Sequence, residues 1–201
     1  MAINLQKGQR ISLTKDNVGL SRIMVGLGWD PAVQGGRGLL GALFGGGTPN
    51  IDCDASVFML DANNKIKSKD DIIYFGNRYH KSGSVQHMGD NLTGDGDGDD
   101  EQIIIELSKV PQDISKLIFV VNIYDCVKRK QHFGMIKNAF IRIVNLANNQ
   151  EMVKFNLTED YSNKTALYVG EIYRHNGEWK FAATGEGDTS PGLGEMVNKF
   201  R

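Results

Sequence analysis

Leu117-Ile118-Phe119-Val120-Val121-Asn122-Ile123-Tyr124, closed by Asp125, is the strongest strand signal in the chain and sets the reading of the rest. Around it the hydrophobic pattern has mostly period two, in short runs separated by turn chemistry. Strands are expected near residues 9 to 14, 21 to 28, 55 to 61, 72 to 76, 102 to 107, 116 to 124, 139 to 146, 151 to 157, 166 to 174 and 178 to 184. Asn63-Asn64, Asn148-Asn149 and Asn176-Gly177 sit between apolar runs, and the last pair signals a type I′ hairpin. Helix is scarce: one short segment is expected near 130 to 138. A terminal one places Leu193, Met196, Val197 and Phe200 on one face that docks on the sheets. The pattern is that of an all-β, antiparallel β-sandwich with a few short helices. We read residues 1 to 201 as one domain, with a glycine-rich insertion at 35 to 47 and a C-terminal tail at 188 to 201.

The chemistry concentrates elsewhere, in Gly89 to Glu101, which carries six acidic side chains and no basic one. Two carboxylates held about 4 Å apart repel by roughly 4 kcal/mol at an effective dielectric near 20, and a bound cation is the simplest relief. Glycines at 94, 96 and 98 allow positive φ, so Asp95, Asp97, Asp99 and freed carbonyls can converge. All-oxygen coordination of this kind suits a hard cation, calcium before magnesium. Without metal, residues 89 to 101 are expected to be mobile. Asp95, Asp97, Asp99 and Glu106 match an EF-hand spacing. Position 6 would be Asp100 instead of glycine, however, and Ile103-Ile104-Ile105 follows as a strand, so an EF-hand is excluded.

Further acidic residues stand at expected strand ends. Asp52 and Asp54 are spaced i, i+2 and should project to one side, with Cys53 facing the other way. Asp30 ends the alternating run Ile23, Val25, Leu27, Trp29, and Asp125 ends the central strand. Ser56, in phase with Asp54, either adds an oxygen ligand or hydrogen-bonds locally. If these ends meet the acidic loop, one or two oxygen cages result.

Composition narrows the function classes. With 23 basic against 24 acidic residues and no basic face with interleaved aromatics, nucleic acid is not an expected partner. No run approaches the ~20 apolar residues of a membrane span, and the first residues have no signal-peptide core, so the expected location is cytoplasmic. Cys53 and Cys126 are expected to be buried free thiols. The segment from 35 to 47 contains Gly36, Gly38 and Gly41 in a G-x-G-x-x-G arrangement, but it neither follows a strand directly nor opens a helix, and no Lys-Ser or Lys-Thr follows for a P-loop. Its Leu39, Leu40, Leu43 and Phe44 form either a mobile loop or a docking flap for a partner or membrane. The four histidines show no paired spacing, and His87 reads as a surface turn residue. Nothing specific indicates an enzyme.

The motifs together resemble the TerD family of bacterial tellurite-resistance and stress proteins. The resemblance runs from Lys7-Gly8 with Ile11 and Leu13, through Gly28-Trp29-Asp30 and Ile51-Asp52-Cys53-Asp54-Ala55-Ser56, to Gly89-Asp90-Asn91-Leu92-Thr93-Gly94 and Asp97-Gly98-Asp99-Asp100-Glu101. It continues through Lys130 to Asn138 with Phe133-Gly134, Asn138-Ala139-Phe140-Ile141-Arg142, and Arg174 to Gly187 with Gly177-Glu178-Trp179-Lys180-Phe181. It implies a β-sandwich that binds two calcium ions, with no established catalytic activity. The implied ligands are Asp30, Asp52, Asp54, Asp97, Asp99, Asp100 and Glu101, to which Asn77 and Asp125 are added. Asp95 stands where many relatives carry Glu, which keeps the charge and shortens the reach. The insertion at 35 to 47 makes the chain similar to the TerZ-like and bacillar general-stress branch. Implied partners are other stress and tellurite-resistance operon proteins, at the inner face of the membrane; oligomeric state is left open. The competing expectation is a metal-dependent hydrolase or phosphoryl-binding enzyme using the same carboxylates. With two cysteines and seven methionines, direct chelation or reduction of tellurite is an unattractive mechanism.

Overall fold

The computed structural model describes residues 2–31, 51–89 and 98–201. Among the described residues, twelve strands form two six-stranded sheets. In the first, the order is β1 (Ile3–Leu5), β10 (Gln150–Asn156), β9 (Ile136–Asn145), β3 (Arg22–Pro31), β7 (Glu101–Glu106) and β6 (Val85–His87). In the second it is β2 (Arg10–Ser12), β12 (Glu178–Asp188), β11 (Ala166–His175), β8 (Lys116–Ile123), β4 (Cys53–Leu60) and β5 (Ile72–Ile73). All pairings are antiparallel except β1 with β10. Each expected strand segment carries a strand, and the antiparallel sandwich stands.

The central run of β8 is continuously apolar because it is covered on both faces. Leu117, Phe119, Val121 and Ile123 point between the sheets into the main core. Ile118 and Val120 point outward, into a second cluster with Phe58, Leu60, Met196 and Val197. The last two belong to α2 (Leu193–Asn198), the expected terminal helix. Six residues are too few to be helical alone in water, so packing holds it: Met196 is fully buried, and Phe200 meets Phe58 edge-on at 5.8 Å. Asn176 (φ 52°) and Gly177 (φ 78°) join β11 to β12 with both φ positive, as a type I′ turn requires.

One expectation about the elements fails. Residues 130 to 138 are not one helix. α1 (Cys126–Arg129) ends at Lys130 in a left-handed conformation, a single 3-10 turn follows at Phe133–Met135, and β9 begins at Ile136. The left-handed residue and the His132 side chain, which accepts the Gly134 N–H, stop helix propagation. The three-residue strands β1 and β6 were also not expected, since three residues carry no readable alternation.

The carboxylate of Asp188 ties the tail to the sandwich. It accepts hydrogen bonds from the Ser190 N–H and hydroxyl and pairs with Lys199 at the end of α2. Burial pushes its pKa up, but the bonds from Lys199 and Ser190 outweigh that and hold it below the ordinary value. Because the folded pKa is depressed, the contribution is present above the unfolded pKa near 4 and is lost as pH falls through the folded one. Amide protection factors across 190 to 200 should therefore drop on acidification while those of β8 persist. In Asp188→Asn, protection of the tail should be weak at both pH values; a pH-independent tail in the unmodified chain would refute the tie.

Candidate metal centre

The described end of the acidic segment, Gly98 to Glu101, distributes its three carboxylates to three places. Asp99 lies flat on the outer face of the first sheet over Gly26, where a Cβ would sit 2.3 Å from its carboxyl carbon. Arg142, the cross-strand partner of Gly26, grips it with Nε at 2.7 Å and Nη2 at 2.9 Å, and Gln102 adds a bond of 3.2 Å. The Asp99 side chain is fully buried. Its bonds to Arg142 raise the guanidinium pKa further against the opposing effect of burial. Asp100 accepts the Trp29 N–H at 2.7 Å. That N–H is released from the ladder because β3 and β9 shift register between Gly28 and Asp30.

Glu101 points between the sheets. β5 pairs only with Val57 and Phe58, so that edge of β4 at Ala55 has no strand beside it among the described residues. Glu101 Oε2 accepts the Ala55 N–H at 2.7 Å, and His87 Nε2 reaches the Ala55 carbonyl at 3.1 Å and Glu101 Oε2 at 3.2 Å. His87 Nδ1 accepts the Gly89 N–H at 3.2 Å, which places the ring proton on Nε2. His87 is fully buried, not the surface turn residue expected from sequence; three residues of β6 were too few to show its inward phase.

Asp52 and Asp54 flank Cys53 as alternation requires, with Cys53 in the core. Asp52 lies 3.8 Å from Arg129. Asp54 is buried on the outer face of the second sheet, opposite Asn122 in register, and borders a cavity of about 380 Å³ with Ser56, Asn122 and Asp125. Asp125 is left-handed (φ 51°) at the start of α1, 3.8 Å from Lys128. Asp30 accepts the Asn138 side-chain amide at 2.7 Å on the rim of the first sheet. Asn77 donates to the Ile72 carbonyl at 2.8 Å and borders a groove beside α2. Asp95, Asp97 and the segment from 35 to 47 lie outside the described residues.

Both cysteines are buried and free. The Cys53 thiol reports the field around it: burial pushes its pKa up, and Asp54, Glu101, Asp52 and Asp100 push it further. Negative charge thus surrounds this point from β4 and from the start of β7, one strand of each sheet. Among the described residues, no group of three or more His, Cys, Asp or Glu side chains is close enough to hold a metal by itself.

A family model described as the TerD domain matches residues 1–200. The chain belongs to the TerD family. It is 60% identical to stress response protein SCP2 of Bacillus subtilis (strain 168) over the whole of both chains. It is 45% identical to tellurium resistance protein TerD of Serratia marcescens, covering 93% of this chain and 91% of that one. A crystal structure of a telluride-resistance (TerD) homologue from Streptomyces coelicolor A3(2) shares the fold, with TM-score 0.64 at 22% identity over 86% of this chain and 92% of that chain. This is a family of tellurium-resistance and stress-response proteins. Among the described residues of this TerD chain, no helix is long and apolar enough to cross a membrane.

Proposed function

We propose that this TerD protein is a non-enzymatic, calcium-binding stress-response module that works by assembling with other proteins of the same response, in the cytoplasm and at the inner face of the membrane. The observation that carries the reading is the density of carboxylates, six between Gly89 and Glu101 with no basic residue among them, joined by Asp52 and Asp54 where the start of β4 meets Glu101 through the Ala55 N–H. These donors are hard oxygens, as calcium prefers. Asp52, Asp54, Asp100 and Glu101 would supply the structured share of the ligands and Asp95 and Asp97 the loop share, for two ions. Asp125 adds a carboxylate at the outer rim. Asp99 and Asp30 act as framework, since Arg142 and Asn138 hold them; Asn77 serves its turn. A bound cation offsets the repulsion within the acidic segment, and at about 100 times its Kd it stabilises the fold by roughly 2.7 kcal/mol.

Nothing in the described residues favours the hydrolase reading. Asp71, His80 and Ser82 do fall in line, with His80 Nε2 3.3 Å from Asp71 and Nδ1 2.7 Å from the Ser82 hydroxyl. Nδ1 already accepts the Ser82 N–H, however, and the Ser82 hydroxyl is bound to Ser84, so the bonds close a local turn.

Calorimetric titration of chelator-stripped protein with Ca²⁺, and separately with Mg²⁺, tests the proposal. Two calcium sites of micromolar or tighter affinity with little magnesium heat are expected. Absence of calcium heat, or a magnesium preference, would reject the module and bring forward the hydrolase.

A further inference from the structure

The outer face of the second sheet changes character along β4. Phe58 and Leu60 lie under α2, whereas Asp54 and Ser56, four and two residues before Phe58, open onto the 380 Å³ cavity at the start of the helix. Two oxygen atoms on this wall, Ser56 Oγ and Asn122 Oδ1, are buried with no hydrogen-bond partner among the described residues. Ser56 is fully buried and Asn122 is 5% exposed. A buried polar atom left unsatisfied costs about 1–3 kcal/mol, so a wall carrying two of them is built for something that donates hydrogen bonds. Asp54 and Asp125 on the same cavity make that donor a cation. Phe75 and Tyr124, 44% and 51% exposed, form aromatic sides at its mouth.

We propose that this cavity is a binding site for a nitrogen cation, a primary ammonium or a guanidinium group. The asparagine carbonyl and serine hydroxyl accept its N–H bonds, Asp54 and Asp125 balance its charge, and the aromatic rings flank its stem. A bare calcium ion fits this space poorly, because it needs six to eight oxygens at about 2.3–2.6 Å and two of these walls are aromatic. The adjacent surface already shows the preference within the chain: Arg129 places its guanidinium 5.3 Å from the Tyr124 ring centroid and 3.8 Å from Asp52. The same chemistry is offered by a free polyamine and by a lysine or arginine side chain of a partner protein. Asp54 and Asp125 are the residues shared with the proposed calcium set, and the test separates the two readings.

Amide correlation spectra of the full chain would be followed during titration with putrescine, N-acetyl-lysine methylamide and N-acetyl-arginine methylamide, in chelator and again in calcium. Saturable shifts centred on Ser56, Asn122 and Tyr124 are expected in both. Tighter binding of the diamine would identify a free polyamine as the source, and tighter binding of a blocked amino acid a partner's side chain. Asp54→Asn should weaken binding about tenfold. Tyr124→Ala, at an exposed position that folding tolerates, should weaken it about threefold. No saturable shift with any probe, equal affinity in both variants, or displacement of every probe by stoichiometric calcium would overturn the proposal. Amine shifts that persist where calcium gives no heat would sink the calcium reading alone.

Discussion

Replacing Arg142 by Met should lower the free energy of unfolding by about 3–5 kcal/mol, because it strands a buried carboxylate without its counter-ion. Asp99 is fully enclosed and bonded to the guanidinium through both oxygens, at 2.7 and 2.9 Å. Gly26 leaves it no room to swing inward, and the bond from Gln102 is a neutral one that cannot replace the charge. The stem of Met keeps the apolar packing of Arg142, so the loss reads the charge. Urea denaturation in excess chelator measures it. The companion variant Asp99→Asn in the Arg142→Met background should recover a large part of the deficit, since a neutral amide is far cheaper to bury. A deficit below about 1 kcal/mol would put the pair in the class of exposed surface bridges and refute the framework role given to Asp99.

Glu101→Ala should cost about 3 kcal/mol or more. It removes the acceptor of the buried Ala55 N–H, at about 1–3 kcal/mol, takes one of two acceptors from the His87 Nε2–H, which keeps the Ala55 carbonyl, and leaves a void between the sheets. Glu101→Gln distinguishes structure from metal binding. The amide oxygen can take the place of Oε2 and accept both donors, so the stability in chelator should fall by only about 1 kcal/mol, the difference between a charged and a neutral acceptor. Calcium affinity should nevertheless fall sharply in the same variant. Equal, large stability losses in both variants would show that the charge itself holds the edge of β4; unchanged calcium affinity in Glu101→Gln would remove Glu101 from the proposed ligand set.

The two variants probe parts of the molecule with different legibility. Alternation in Cys53 to Leu60 correctly separates Asp52 and Asp54 from Cys53, because successive side chains in a strand must point to opposite faces. The acidic segment announces itself through charge density. What it does not announce is that Asp99 meets Arg142 and Glu101 meets His87. Arg142 is 43 residues from Asp99 and joins it only because β9 lies beside β3, which lies beside β7. Ser56 illustrates the same limit: its phase with Asp54 is readable, whereas the lack of a partner for its hydroxyl among the described residues goes with apolar Val120 standing opposite it on β8.

The sequence by itself determined the class of fold, the hairpin at Asn176-Gly177, the terminal helix with its apolar face, the family and the acidic character of the region, because these depend on local periodicity, turn conformation and composition. Only the tertiary structure decided which carboxylates are held by protein partners, which face each other across the sheets and where an unsatisfied cavity remains. Those are properties of non-local pairing: a carboxylate's role follows from the cation or N–H brought to it by another strand, and strand order is not written in any short stretch of chain.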